Sequence, residues 1–148
     1  MLRELERFPY RKVLRTIPPM PQSDARGFMG TAAALLLFAG PDWARYRPAK
    51  LYDYLASHRP VLAWGSCGEI AHVIKSLSAG AVIDEGDASG LEEILGDVVA
   101  GTLAVRDVAA VDRWLADYDR RRIAAALYAR LDTLLPEAAA GEATRRRR

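Results

Sequence analysis

Short runs rich in aliphatic residues alternate along this chain with segments of helical periodicity, and this alternation limits the possible folds most strongly. The aliphatic runs are residues 12–17, 33–38, 60–64 and 81–84. The helical segments are residues 24–31, 49–57, 69–78 and 91–99. Strands that alternate with helices are joined by right-handed crossovers, which make the sheet parallel. We therefore predict an α/β fold with a parallel sheet of about four strands and flanking helices.

The C-terminal third of the chain has a different pattern. Residues 105–135 show helical periodicity and contain no further strand pattern. Trp114, Leu115 and Tyr118 fall on one side of a first helix. Apolar residues recur every three or four positions along a second helix, at Ile123, Leu127, Leu131 and Leu134. We predict a helical C-terminal end, in which the tryptophan serves for packing.

Size and charge argue for one folded domain without a nucleic-acid surface. With 148 residues, 51% of them hydrophobic, the chain can bury a core of its own. We expect one domain over residues 1–136 and a disordered basic tail over residues 137–148. The formal net charge of +2 includes the four arginines at 145–148, so the remaining chain carries −2. Nucleic-acid binding requires basic residues clustered on a folded face, which this pattern does not provide.

Targeting and metal signals are weak in this sequence. The longest apolar run, residues 32–40, is far shorter than the roughly 20 residues of a membrane span. The N-terminus lacks the apolar centre of a signal peptide, so we expect a cytoplasmic protein. Cys67 is the single cysteine, which excludes an intrachain disulfide and a cysteine-based zinc site. With only His58 and His72 beside it, we expect no metal site.

A cluster of charged residues follows the second aliphatic run. Ligands of parallel sheets bind at the carboxyl ends of strands, where the next helix begins. Arg45, Arg47 and Lys50 surround a predicted helix start near Ala49, which favours an anion such as phosphate. Asp53 lies one turn further and could accept hydrogen bonds from ribose hydroxyls. Together these residues indicate a nucleotide site; a solvated loop and a surface carboxylate are the simpler alternatives.

A second candidate junction is the glycine turn at residues 65–68. Gly65 and Ser66 follow the third aliphatic run and precede a helix, so they could contribute backbone and hydroxyl contacts to the same ligand. A glycine in such a turn often serves backbone geometry alone. Cys67 and His72 could form a nucleophile and base, but no third group is present to orient them.

Between residues 13 and 135 the sequence resembles a known family of enzymes. Its pattern P-x-K-L-x-E/D-Y-L-A-x-x-R/K-P-V-L-A runs from Pro48 to Ala63. A glycine turn at Gly65, a G-x-V at 80–82 and an acidic helix start at Asp87 follow. These features resemble the C-terminal donor-binding domain of bacterial glycosyltransferases with two facing Rossmann-like domains (the B-type fold; group 1, family 4-like).

The resemblance implies transfer of a sugar from a nucleotide-sugar, which is a co-substrate, so no cofactor is expected. Asp53 falls on the family acid that holds the ribose, and Lys50 with the amides near Ala49 would face the diphosphate. The position of the first acid of the family pair, eight residues earlier, is held by Arg45. Arg45 or Arg47 would lie near the phosphates or the sugar. No Asp-x-Asp motif is present, so a divalent metal is not implied.

The resemblance covers only the last two-thirds of one domain of a two-domain enzyme. We therefore expect a missing N-terminal acceptor domain or a partner chain, without which the isolated chain could be inactive. The alternative is a non-catalytic α/β module or inactive fragment that docks to a partner chain through an exposed apolar patch. A receiver-like domain is disfavoured because residues 12–17 end without the acidic cluster that receivers need.

Overall fold

The computed structural model describes residues 9–38, 40, 45–65 and 68–134. Within these residues, three strands form one parallel sheet in the order β1-β2-β3. The strands are β1 (Leu35–Phe38), β2 (Val61–Trp64) and β3 (Gly80–Ile83). The α/β fold and the parallel sheet are confirmed, but the described sheet has three strands where about four were predicted. The predicted tail, residues 137–148, lies outside the described residues.

Helices follow every strand and make up the C-terminal end. They are α1 (Gln22–Gly30), α2 (Ala49–Ala56), α3 (Glu69–Ser76), α4 (Ala88–Ala100), α5 (Val108–Asp117) and α6 (Arg120–Leu134). All four helices predicted between the strands and after the last one are confirmed, with ends that differ by at most three residues. Within the described residues, no helix combines the length and apolar character needed to cross a lipid bilayer.

The prediction of a first strand at residues 12–17 is wrong. Arg11–Val13 forms a single 3-10 helical turn, and the chain from 14 to 21 has no regular structure. Val13 is 80% exposed, and Leu14 and Ile17 are also exposed. Strand propensity stabilises a strand only when a neighbour pairs and packs with it. The prolines at 18, 19 and 21 further limit pairing because they lack an amide donor.

Local signals account for the helix starts. Pro48 precedes α2 with φ −64°, a value that its ring fixes and that suits entry into a helix. The side chain of Asp87 accepts a hydrogen bond from the Gly90 amide at the start of α4. Asp107 caps α5 in the same way by accepting from the Ala110 amide. Such caps satisfy amides that have no partner inside the helix.

One face of the sheet is covered by helices. Because each strand pairs with the next in sequence order, right-handed crossovers place α2 and α3 on the same face. Leu37, Val61 and Ala63 point to this face and join the buried cluster. The cluster also contains Leu51 and Leu55 of α2, Ile70, Val73 and Ile74 of α3, and Val111 of α5. The helices thus hold the start of α2 in a fixed position at the end of β1.

The opposite face is covered unevenly. Leu62 of β2 and Ile83 of β3 are buried there, and α4 contacts β3. On β1, by contrast, Leu36 is 47% exposed and Phe38 is 71% exposed. β1 is also an edge strand of the described sheet. The molecule therefore has one packed layer of helices and an open apolar area around β1.

Candidate functional site

The start of α2 lies where the predicted anion site requires it. α2 begins after the carboxyl end of β1, and both Ala49 and Lys50 are exposed in its first turn. The first turn contains no acidic residue, and within the described residues no side chain accepts a hydrogen bond from its amides. Lys50 lines a cavity of about 330 Å³ together with Leu36, Phe38 and Pro48. A negatively charged group would be stabilised at this position by the helix amides and the ammonium group.

Arg47 is held by other residues of the chain. Its Nε donates a hydrogen bond to the Glu69 carboxylate at 3.0 Å, and its Nη2 donates to the same oxygen. Its Nη1 donates to the hydroxyl of Tyr118. The guanidinium carbon lies 5.9 Å from the ring centroid of Trp114 and 5.5 Å from that of Tyr118, within cation–π range.

These contacts fix the charge state of the pair. The hydrogen bond to Glu69 raises the pKa of Arg47 above its already high ordinary value, more than burial lowers it. The hydrogen bond from Arg47 in turn lowers the pKa of Glu69 below its ordinary value. Both groups are therefore charged at neutral pH, and Arg47 is an anion site that a carboxylate of the protein already occupies.

An aromatic cluster of Tyr52, Trp114 and Tyr118 packs beside Arg47. The rings of Tyr52 in α2 and Trp114 in α5 are stacked, with their centroids 5.4 Å apart. The ring centroids of Trp114 and Tyr118 are 4.5 Å apart. The expectation that Trp114 serves for packing is confirmed. Glu69 and Tyr118 were not predicted as partners of Arg47. They lie 22 and 71 residues away in sequence, and no local pattern connects them.

Asp53 lies in a groove on the other side of α2. Its carboxylate accepts a hydrogen bond from Arg26 at 3.4 Å, and its side chain is 35% exposed. The groove has a volume of about 820 Å³ and is lined by residues of α1, α2, α5 and α6 as well as Arg47. Arg47 and Arg120 share it with Arg26 and Asp53. One long, exposed ion pair leaves the carboxylate able to accept hydrogen bonds from a ligand hydroxyl.

Arg45 lies on a third surface. It is exposed and lines a shallow, open cavity of about 440 Å³ with Arg47, Gly68 and Glu69. Within the described residues, no carboxylate lies in ion-pair distance of its guanidinium. Arg45 is thus available to a ligand, whereas Arg47 beside it has to be released from Glu69 first.

The described site residues meet around the start of α2, where they line three neighbouring cavities. Ala49 borders both the Lys50 cavity and the Asp53 groove, and Arg47 borders both the groove and the Arg45 cavity. Lys50 and Asp53 line separate cavities on two sides of α2. A ligand that contacts both would have to cross the helix start at Ala49.

The second junction contributes backbone geometry where it is described. Gly65 has φ +68°, a conformation that favours glycine, and its amide donates to the Ile83 carbonyl at 2.9 Å. Gly65 therefore allows the chain to turn at the end of β2. Ser66 and Cys67 lie outside the described residues.

Neither a metal centre nor a relative identifies the site. Among the residues that the structure describes, no three histidine, cysteine, aspartate or glutamate side chains are grouped so that they could hold a metal ion. No family model, curated protein or solved structure matches this chain.

Proposed function

We propose that this chain is the donor-nucleotide-binding part of a glycosyltransferase, which transfers a sugar from a nucleotide-sugar to an acceptor. The observation that carries the proposal is the start of α2, where Lys50 and uncapped amides lie at the carboxyl end of a parallel strand, one turn before Asp53. The family resemblance of the sequence from Pro48 to Ala63 supports the same assignment.

Different site residues bind different parts of the nucleotide-sugar. The diphosphate binds at the amides of Ala49 and Lys50 and at the Lys50 ammonium group, since helix dipole and cation both favour negative charge. The ribose hydroxyls donate to the Asp53 carboxylate. When the bond between the anomeric carbon and the diphosphate breaks, negative charge increases on the leaving diphosphate. Fixed positive groups stabilise this charge and lower the barrier.

The acceptor half of the reaction belongs to another part of the enzyme. The groups that bind and activate the acceptor are assigned to a separate N-terminal domain or to a partner chain. The open apolar area around Leu36 and Phe38 provides a surface that such a domain could cover. The proposal therefore concerns donor binding and leaving-group stabilisation, and not a complete catalytic centre.

The test is a calorimetric titration of the full chain with UDP, GDP, ADP and their sugar conjugates. We expect one base class to bind, and Lys50→Ala and Asp53→Ala each to weaken it about tenfold, as expected when a charged hydrogen-bond partner is lost. The matched controls are Lys75→Ala, in the last turn of α3, and Asp112→Ala, whose carboxylate pairs with His58 at 2.8 Å instead. Both controls should bind like the wild type. The proposal fails if no nucleotide binds, or if both site variants bind unchanged.

A non-catalytic docking module is the second candidate. The specific observation in its favour is the edge strand β1, where Leu36 and Phe38 expose large apolar side chains. An uncovered apolar edge is unusual unless another surface binds it. Two results together would favour this function over the first. The chain would bind none of the nucleotides, and it would associate in a concentration-dependent way that Phe38→Ser abolishes.

A further inference from the structure

Glu69 occupies the position on Arg47 that an anionic ligand would take. Two nitrogen atoms of the Arg47 guanidinium donate to one oxygen of this carboxylate. Arg45, without an ion pair to any described carboxylate, lines the same cavity of about 440 Å³. Among the described residues, the charged residues that line the cavity are two arginines and one glutamate. The negative charge that neutralises Arg47 comes from Glu69, the first residue of α3.

The exposure of the pair allows Glu69 to leave. The Arg47 side chain is 30% exposed and the Glu69 side chain is 44% exposed. Ion pairs with this degree of exposure contribute little to stability, because water solvates both charges when they separate. A phosphate group carries more charge than a carboxylate and offers more acceptor oxygens, so it can replace Glu69 on the guanidinium.

Arg47 is also held by contacts that do not involve Glu69. Its Nη1 donates to the hydroxyl of Tyr118, and its guanidinium lies beside the rings of Trp114 and Tyr118. Those rings are in turn fixed by contact with each other and with Tyr52. The arginine is thus preorganised by one set of contacts and blocked by another.

We infer that Glu69 is a displaceable internal counter-ion, which competes with phosphate-bearing ligands for Arg47 and so sets the affinity of the site formed with Arg45. Glu69 is then an affinity-determining residue and contacts no reacting atom. The inference rests on the proposed function for the class of its ligand, since a diphosphate is assigned there to the Lys50 cavity. It adds the cavity of Arg45 and Arg47 as a second place where a phosphate group of that ligand binds. A competing Glu69 and a purely structural Glu69 change the ligand affinity in opposite directions when the carboxylate is removed. A brace that only positions Arg47 would weaken binding when removed, whereas a competitor strengthens binding when removed.

The test uses inorganic pyrophosphate as the probe and calorimetry on the full chain. We expect Glu69→Gln, which keeps a hydrogen-bond acceptor but loses the charge, to bind pyrophosphate about fivefold more tightly, at the upper end of exposed ion-pair energies. Tyr118→Phe removes the positioning hydroxyl and should weaken binding. Glu92→Gln, an exposed glutamate of α4, is the matched control and should bind like the wild type.

The outcomes separate this inference from the proposed function. Unchanged or weaker pyrophosphate binding by a folded Glu69→Gln chain overturns the inference, as does the absence of binding in every variant. If nucleotides bind through Lys50 and Asp53 while Glu69→Gln gives no gain, the proposed function holds and the inference fails. If Glu69→Gln strengthens pyrophosphate binding while no nucleotide binds, the inference holds and the proposed function fails.

Discussion

Two neighbouring residues of β1 show the contrast between the two faces of this sheet. Leu37 is 4% exposed under the helices, whereas Phe38, next in sequence, is 71% exposed. Both belong to the same continuous apolar run, so hydrophobicity alone does not decide which side chain is buried. The covering helices decide it, because α2, α3 and α5 all pack on the Leu37 face. An apolar run of this kind predicts a strand but not the burial of both its faces.

The same contrast extends to the helices. α2 and α3 bury Leu51, Leu55, Ile70 and Ile74 almost completely, whereas α6 has no buried residue. The packed layer therefore determines the position of the start of α2, and with it the candidate site. The open parts of the molecule contribute surface to the site without fixing its geometry.

The largest loss of stability is expected from Gly80→Ala within the packed sheet. A Cβ at this position would lie 2.1 Å from the carbonyl oxygen of Val61 on the paired strand, and Gly80 has φ +151°. Because the clash is with backbone, no side-chain movement relieves it, and we expect a loss of about 4 kcal/mol or more in the free energy of unfolding. Denaturant unfolding followed by circular dichroism measures this change.

Gly96→Ala in α4 is the matched control for that measurement. Its Cβ would meet nothing within 4 Å. Alanine in a helix interior is more stable than glycine by up to about 1 kcal/mol, so this variant should be as stable as the wild type or more stable. Equal losses in the two variants would contradict the contrast between packed and open regions.

The next effect compares Leu55→Ala with Phe38→Ser. Leu55 is fully buried between α2 and the sheet, and its truncation should cost about 3 kcal/mol because a cavity remains. Phe38 is exposed, so its replacement should change the free energy of unfolding by no more than about 0.5 kcal/mol. Chemical denaturation of both variants provides the comparison. A large loss in Phe38→Ser would mean that the β1 edge is covered in solution.

The smallest effect is a pH dependence that comes from Arg47 and Glu69. Because the folded pKa of Glu69 is lowered, the pair stabilises the fold above the ordinary pKa of 4.5, and this gain is lost as the pH falls through the lowered value. The wild type should therefore be slightly more stable than Glu69→Gln near neutral pH, and the two should converge in acid. Thermal melts between pH 3 and pH 7 test this, and a difference that stays the same size as the pH falls would contradict it.

Much of the fold could be predicted from the sequence, because local signals coincide with tertiary structure. Pro48 and the spacing of Leu51 and Leu55 predict α2, and the structure confirms it. The strand predicted at residues 12–17 failed because strand formation depends on a partner that composition does not specify. The sequence placed Lys50 and Asp53 at the start of the helix that the structure shows, and their role in binding a ligand stays a prediction. The Arg47–Glu69 pair could not be predicted, since it joins two loop–helix junctions that only the folded sheet brings together.

The most direct test of the donor-site assignment is an amide NMR titration of the full chain with UDP, GDP and ADP in turn. We expect one of the three nucleotides to produce saturable shifts centred on the amides of Ala49, Lys50 and Asp53. Asp53→Ala should reduce the affinity obtained from those shifts. If all three nucleotides leave these amides unchanged, or if saturable shifts occur only elsewhere in the chain, the assignment of the donor site to the start of α2 is wrong.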